Sequence, residues 1–313
     1  MPIVVTVNVV TYNSAKFILE TLESIKNQTY SKIALAISDD HSNDNTVELC
    51  ENWINKNKNR FVETKIILTD KNTGVSGNFN RLWDACTTEW MKDIAGDDLL
   101  LPNCISDFVD YIKDNPNATI IFSRVSPFYI SHGKTIWEKE SWHDYSFFNL
   151  TPSEQYHYLI YKGNNLPAPS CFYNIKRLRQ KGIRNDERIP LLEDYPKWIM
   201  CLRKGITFHF MDKHTVGYRQ DISSLSVGVF SPNFYKSNLL FYLYYYQDEI
   251  GECNSRENIY NLMCDKAIKF YISTYNRAIN STKTLDYKIG HTILSPFRLL
   301  IDIARYIRSV LFA

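Results

Sequence analysis

Within the first 125 residues, short apolar runs alternate with stretches of helical periodicity, and few folds accept that pattern. Residues 3–10 form a β-branched run of buried-strand type. Residues 15–28 then place Ile18, Leu19, Leu22 and Ile25 on one helical face. A second strand is predicted over 33–38 and a second helix over 46–55, with Val47, Cys50 and Ile54 inward. A third strand (65–68) and helix (76–86), a strand at 90–94, a helix at 102–113 and a strand at 119–122 continue the series. Strands that alternate with helices imply right-handed crossovers, so the expected fold is α/β, a Rossmann-like, mostly parallel sheet flanked by helices. Such sheets bind ligands at the carboxyl ends of their strands.

Composition excludes several classes. Lys plus Arg number 36 against 34 Asp plus Glu, a balance that gives no support to bulk nucleic-acid binding, which usually needs a basic face. A hydrophobic fraction of 44% in 313 residues supports a sizeable core. The seven cysteines are scattered without a C-x-x-C pair, which argues against a disulfide framework or structural zinc and favours a reducing, cytoplasmic compartment. The opening MPIVVTVNVV lacks the basic n-region of a signal peptide, and no apolar run spans a bilayer. Residues 123–165 read as aromatic-rich and irregular, and the chain from about 233 reads as helical.

Three polar clusters follow strands at the expected ligand edge: Thr11-Tyr12-Asn13, the run Asp39 to Thr46, and Gly96-Asp97-Asp98. Converging carboxylates repel unless a cation or hydrogen-bond donors compensate them. A hard divalent ion shared with phosphate is one resolution. The other is local: Asp44, Asn45 and Thr46 could cap the second helix, and Asp97-Asp98 the helix near Pro102. Neither G-x-G-x-x-G nor a P-loop is present to cradle phosphate.

The order VVTYN, ISDDHSNDNT, NTGVSGNFN, AGDDLLLP, LLEDYPKW resembles a family 2 glycosyltransferase of GT-A fold over roughly residues 3–226. The resemblance implies a catalytic domain at 1–230, with a nucleotide-sugar half (1–122) and an acceptor half (123–230), ahead of a helical region at 231–313. It also implies site residues. Thr11, Tyr12, Asn13, Asp39 and Asp40 match positions that hold nucleobase and ribose, and Asn72, Gly74, Ser76 and Asn80 match a stretch lining the nucleotide pocket. Phe79 stands where relatives often carry Arg. Ala95-Gly96-Asp97 occupies the place of the metal-binding D-x-D motif, leaving Asp97 as expected ligand for Mn²⁺ or Mg²⁺ and Asp98 as its neighbour. Asp194, beside Glu193, matches the catalytic base, and Arg219 belongs to a Tyr-Arg pair followed by Asp221 where relatives carry a metal-side His.

An inverting transfer from a nucleotide sugar to a glycan or lipid-linked acceptor, in bacterial surface-polysaccharide assembly, is the implied function. The alternative is a catalytically degenerate sugar- or nucleotide-binding scaffold, motivated by Ala95 and Asp221. Asp194 also reads as the N-cap of the helix predicted at 196–204, and the Pro-rich loop 166–170 as either a rigid turn or an acceptor-side loop. His41, His209 and His214 carry no assigned role. The tail at 292–313 repeats apolar residues at helical spacing with Arg298, Arg305 and Arg308. It reads either as a peripheral membrane-docking helix or as one packed on the catalytic domain.

Overall fold

The computed structural model describes residues 2–140, 143–189, 191–220 and six positions between 237 and 245. The chain divides into two units, Met1–Asp221 and Ile222–Ala313. In the second, the Phe241 and Tyr245 rings stack at 5.3 Å. Apart from those six positions, the helical region read from 231 onward, its tail at 292–313 and Asp221 lie outside the described residues.

The first unit opens with β1 (Val5–Thr11), α1 (Ile18–Lys26), β2 (Ile33–Asp39), α2 (Thr46–Asn57), β3 (Thr64–Ile67), α3 (Gly74–Ala85) and β4 (Trp90–Ala95). These four strands pair in parallel in the order β3-β2-β1-β4, as their alternation with helices requires. Every residue of β1 and β2 is buried, because helices cover both faces of the sheet. The register sets Thr11 beside Asp39 and Val10 beside Ala95. The turns that follow β1, β2 and β4 therefore emerge side by side at one edge.

The second half turns the sheet mixed. It contains β5 (Leu99–Leu100), α4 (Cys104–Asp114), β6 (Ile120–Ser131), β7 (Lys134–Trp137), α5 (Pro152–Lys162), β8 (Phe172–Asn174), α6 (Ile175–Gln180), α7 (Asp194–Arg203) and β9 (Phe208–Arg219). β8 enters antiparallel between β4 and β6, while β9 runs parallel to β6 and antiparallel to β5. A stack of Trp90, Phe172 and Phe108, with adjacent rings at 5.2 and 4.7 Å, seats β8 against the sheet and α4.

Three expectations are corrected. The stretch 123–165 is not irregular: β6 extends to Ser131, β7 returns as a hairpin, and α5 follows. The sequence T-P-S-E starts α5, with Thr151 and Glu154 forming a reciprocal capping box around Pro152. On α1, Leu19 is 40% exposed and Thr21 takes its place inward, donating its hydroxyl to the Asp98 carbonyl at 2.8 Å. On α2, Val47 is half-buried, and Trp53 joins Cys50 and Ile54 in the core. Among the described residues, no helix is long and apolar enough to cross a membrane.

Candidate active site

The turns after β1 and β2 are laced together by their own polar groups. Asp39 accepts the Thr11 hydroxyl at 2.9 Å, the Ser42 amide at 2.8 Å and the Ser42 hydroxyl at 2.5 Å. Asn13, in the left-handed region at φ 50, donates its amide to Ser42 Oγ and accepts the Asn43 amide, both at 2.8 Å. Asp44 accepts from Thr46 and from the Ala15 amide, so it bridges two turns as well as serving the start of α2. Tyr12 projects outward at 48% exposure. His41, at φ 67, is exposed with Nδ1 3.4 Å from the Thr69 carbonyl.

Asp40 is engaged more fully still. Its carboxylate accepts the Thr73 amide (3.0 Å) and hydroxyl (2.7 Å), the Gly74 amide (2.8 Å) and the Arg81 guanidinium (2.7 Å). Those bonds account for the acceptor capacity of a carboxylate, and they fasten β2 to the N-terminus of α3. Gly74 sits at φ 79, a conformation suited to glycine, and its amide also donates to Asn72. The cation missing at Phe79 is supplied two positions later: Arg81 reaches Asp40, Thr73, Asn78 and Ser38.

Ser76 and Asn80, expected to line a nucleotide pocket, are 0% and 1% exposed and serve another purpose. Ser76 donates to the Ile189 carbonyl at 2.8 Å. Asn80 donates to the Asn185 carbonyl (3.0 Å) and Glu187 (2.7 Å) and accepts from Asn185. Together they clamp the segment leading to α7 against α3.

The turn after β4 differs. Gly96 passes over the end of β1, where an added Cβ would come within 3.1 Å of Thr11 Cγ2 and Ser14 Oγ. Asp97 is half-buried. Asp98 is 2% exposed, and its carboxylate accepts the Arg219 amide at 2.9 Å. Burial and the adjacent Asp97 charge push Asp98 well above the usual carboxylate range. This pairing also removes Asp98 from the helix-cap role.

Arg219, 2% exposed at the end of β9, donates from Nε to the Asp97 carbonyl (2.6 Å) and from Nη2 to Glu20 (2.7 Å). Its guanidinium lies between the Phe17 and Phe128 rings, at 4.3 and 4.6 Å. Nη1 is buried without a hydrogen-bond partner. A buried donor left unmatched costs about 1–3 kcal/mol, so this nitrogen is a standing demand for an acceptor.

A third group lies at the start of α7. Asp194 is the first helical residue and makes no capping hydrogen bond to the helix backbone beyond its neighbour, so the N-cap reading does not hold. Its carboxylate accepts the Asn164 amide group (2.6 Å) and the Tyr195 amide (2.7 Å). Burial raises its pKa, offset in part by Lys197 and the two donors. Burial and the Asp194 charge push Glu193 up to about 7. The loop at 166–170 carries a 3-10 turn, Ala168–Ser170, whose Pro169 carbonyl accepts from the fully buried Lys92. His209 packs edge-on against Tyr111 and His214 bonds Ser126 and Val125, which makes both parts of the β9 surface.

Among the described residues, no three His, Cys, Asp or Glu side chains form a cluster able to hold a metal ion. Mg²⁺ and Mn²⁺ commonly take one or two carboxylates with water and phosphate oxygens completing the shell. The Asp97 turn offers one half-buried carboxylate and does not make a protein-only cage.

Comparison with known proteins follows the same lines. Residues 6–177 match the family described as Glycosyl transferase family 2. An uncharacterized glycosyltransferase of Methanocaldococcus jannaschii is 24% identical over 69% of this chain and 70% of its own length. The Escherichia coli UDP-Glc:alpha-D-GlcNAc-diphosphoundecaprenol beta-1,3-glucosyltransferase WfaP is 25% identical over 75% of this chain and 85% of its own. The fold is similar to that of S. aureus TarS 1-349 in complex with UDP-GlcNAc, with TM-score 0.61 and 18% identity over 96% of this chain and 79% of that one. The chain spans 46% of a longer TarS structure.

Proposed function

The chain belongs to glycosyl transferase family 2 and is a glycosyltransferase, and from that premise we propose the reaction it runs. It moves a sugar from a UDP-linked donor to a hydroxyl of a glycan or lipid-linked acceptor, with inversion at the anomeric carbon. The observation that carries this reading is Arg219. Its main-chain amide bonds Asp98 and its Nε bonds the Asp97 carbonyl, so a fixed positive charge holds the turn that carries the half-exposed Asp97 carboxylate, an arrangement that suits a diphosphate. Support for the donor and acceptor classes comes from the relative named for transfer from UDP-Glc to a diphosphoundecaprenol-linked sugar, and from the similar structure holding UDP-GlcNAc.

In the proposed step, the acceptor oxygen bonds to the anomeric carbon as the bond from that carbon to the diphosphate oxygen breaks. The acceptor proton passes to the Asp194 carboxylate, and UDP departs with the bonding electron pair. Asn164 and the Tyr195 amide fix Asp194 in one orientation, and burial strengthens it as a base. Asp97 would hold Mn²⁺ or Mg²⁺ together with the diphosphate, where the ion neutralises charge developing on the leaving group. A cytoplasmic enzyme docked on the membrane through its basic tail at 292–313 suits a lipid-linked acceptor.

Incubation with UDP-sugars and Mn²⁺ tests the reading. Slow UDP release without acceptor is expected from the native chain, and its loss from Asp97→Ala with the fold intact. Undiminished, still metal-dependent turnover in Asp97→Ala would remove Asp97 from the mechanism.

A further inference from the structure

One buried cation is not used by the mechanism above. Lys197 lies on α7, one helical turn after Asp194, and is 3% exposed. Its ammonium sits among four aromatic rings: Trp198 at 4.9 Å, Trp83 and Tyr173 at 5.2 Å, and Phe79 at 5.8 Å. Burying a lysine is costly unless charge or π faces compensate it, and a four-ring box is an unusual outlay for a residue with only a packing role.

Its electrostatic surroundings explain the expense. At the start of α7, Glu193 and Asp194 are consecutive carboxylates, and both feel the Lys197 charge. From β4, Asp93 faces the same region, held by Asn8 at 2.8 Å and the Trp83 indole at 2.9 Å, and Lys197 acts on it too. Lys92, also on β4, donates to the Asp93 and Pro169 carbonyls. From β8 and the residue before it, burial pushes the Tyr173 phenol and the Cys171 thiol upward, so both stay neutral at working pH. Asn164 adds a neutral donor from the loop after α5. The region thus holds three carboxylates, with Lys197 among them and Lys92 beside Asp93.

We propose that Lys197 is a positioning residue for transfer, a π-boxed counter-charge that keeps Asp194 available as a proton acceptor beside Glu193. The proposal rests on Asp194 being the base. Two carboxylates side by side in a partly buried site cannot both ionise cheaply, and without a cation one of them holds its proton. Lys197 lowers that cost for the pair from inside the fold, where it does not compete with the diphosphate for the ion at Asp97. The aromatic box surrounds the ammonium, so Lys197 adds no hydrogen bond to those Asp194 already accepts from Asn164 and the Tyr195 amide.

The test is a carboxyl-¹³C titration of Asp194 in the full chain, assigned with Asp194→Asn, alongside the pH profile of turnover. In Lys197→Met, which fills the box with a side chain of similar length, the Asp194 midpoint should rise by about one pH unit or more, and the acid limb of turnover with it. Lys197→Arg, which keeps the cation, should leave both near the native positions. A midpoint that rises while the acid limb stays put would support the counter-charge and remove Asp194 as the base. An unmoved midpoint would overturn the proposal. If Lys197→Met does not fold, Lys197→Gln carries the same test.

Discussion

The carboxylates after β2 and those at the β4 turn and the start of α7 are the same chemical group in opposite circumstances. Asp39 and Asp40 receive three and at least four hydrogen bonds from protein donors, and each is spent on joining elements together. Asp98, buried at the β4 turn, and Glu193 and Asp194, half-buried at the start of α7, receive fewer donors; desolvation raises all three, and a neighbouring carboxylate adds to it at Asp98 and Glu193. Donors convert a buried carboxylate into a structural bolt. Burial without enough donors raises its pKa and makes its ionised form a stronger base. The contrast separates carboxylates held by protein donors after β2 from less-satisfied ones at the β4 turn and the start of α7, the group that the proposed mechanism draws on.

The largest expected effect lies on the structural side. Asp40→Ala leaves Arg81 and the start of α3 without their acceptor and should cost about 3–5 kcal/mol of unfolding free energy in a urea titration. A loss below about 1 kcal/mol would mean that solvent can replace these bonds, as it does at exposed ion pairs. Asp39→Asn keeps one acceptor and turns the other into a donor facing Ser42 or Thr11, for an expected loss of about 1–3 kcal/mol in the same assay. Gly96→Ala, which crowds Thr11 and Ser14 at the junction of the two regions, should cost about 1–3 kcal/mol.

The smallest effect is a slope. Glu193 is raised from 4.5 to about 7 on folding, so the folded chain retains a proton there that the unfolded chain has released. Its contribution to stability is therefore full below pH 4.5 and is lost as pH rises through about 7. Glu193→Gln should flatten that decline between pH 4.5 and 7 in thermal unfolding. An unchanged slope would place Glu193 among the solvated carboxylates and blur the comparison.

How much of this was legible depended on what the local pattern carried. The four parallel strands showed themselves as short apolar runs alternating with helical periods, β1 as a β-branched one, and Asp97 and Asp194 stood in motifs with a recognisable order. The register of β1 with β2 and β4 then brought the polar turns together without further information. The stretch at 123–165 hid its elements for physical reasons. β6 changes from buried on both faces to alternating along its length, and β7 is exposed throughout, so neither shows a strand period. The Thr151–Glu154 capping box was readable but lay amid aromatic residues with no period of their own.

Arg81 was missed because the expected cation belonged before Asn80; the helix delivers it one residue after, where it turns toward Asp40. Lys92, Asp93 and Lys197 were missed because W-M-K-D-I and Y-P-K-W look like ordinary amphipathic segments. Only the fold shows those charges buried, with a ring box around Lys197.

The central claim is that Asp194 is a chemical carboxylate and not a structural one, and Asp194→Asn tests it most directly. Donor affinity by calorimetry, unfolding free energy and turnover are measured on the same sample. The amide keeps the shape and the bond from the Tyr195 amide, turns its other atom into a donor facing Asn164, and cannot take the acceptor's proton. Turnover should fall by about two orders of magnitude or more, with donor affinity near the native value and unfolding free energy lowered by no more than about 1–3 kcal/mol. Joint loss of stability and donor binding would instead put Asp194 with Asp40, among the groups that only hold the fold together.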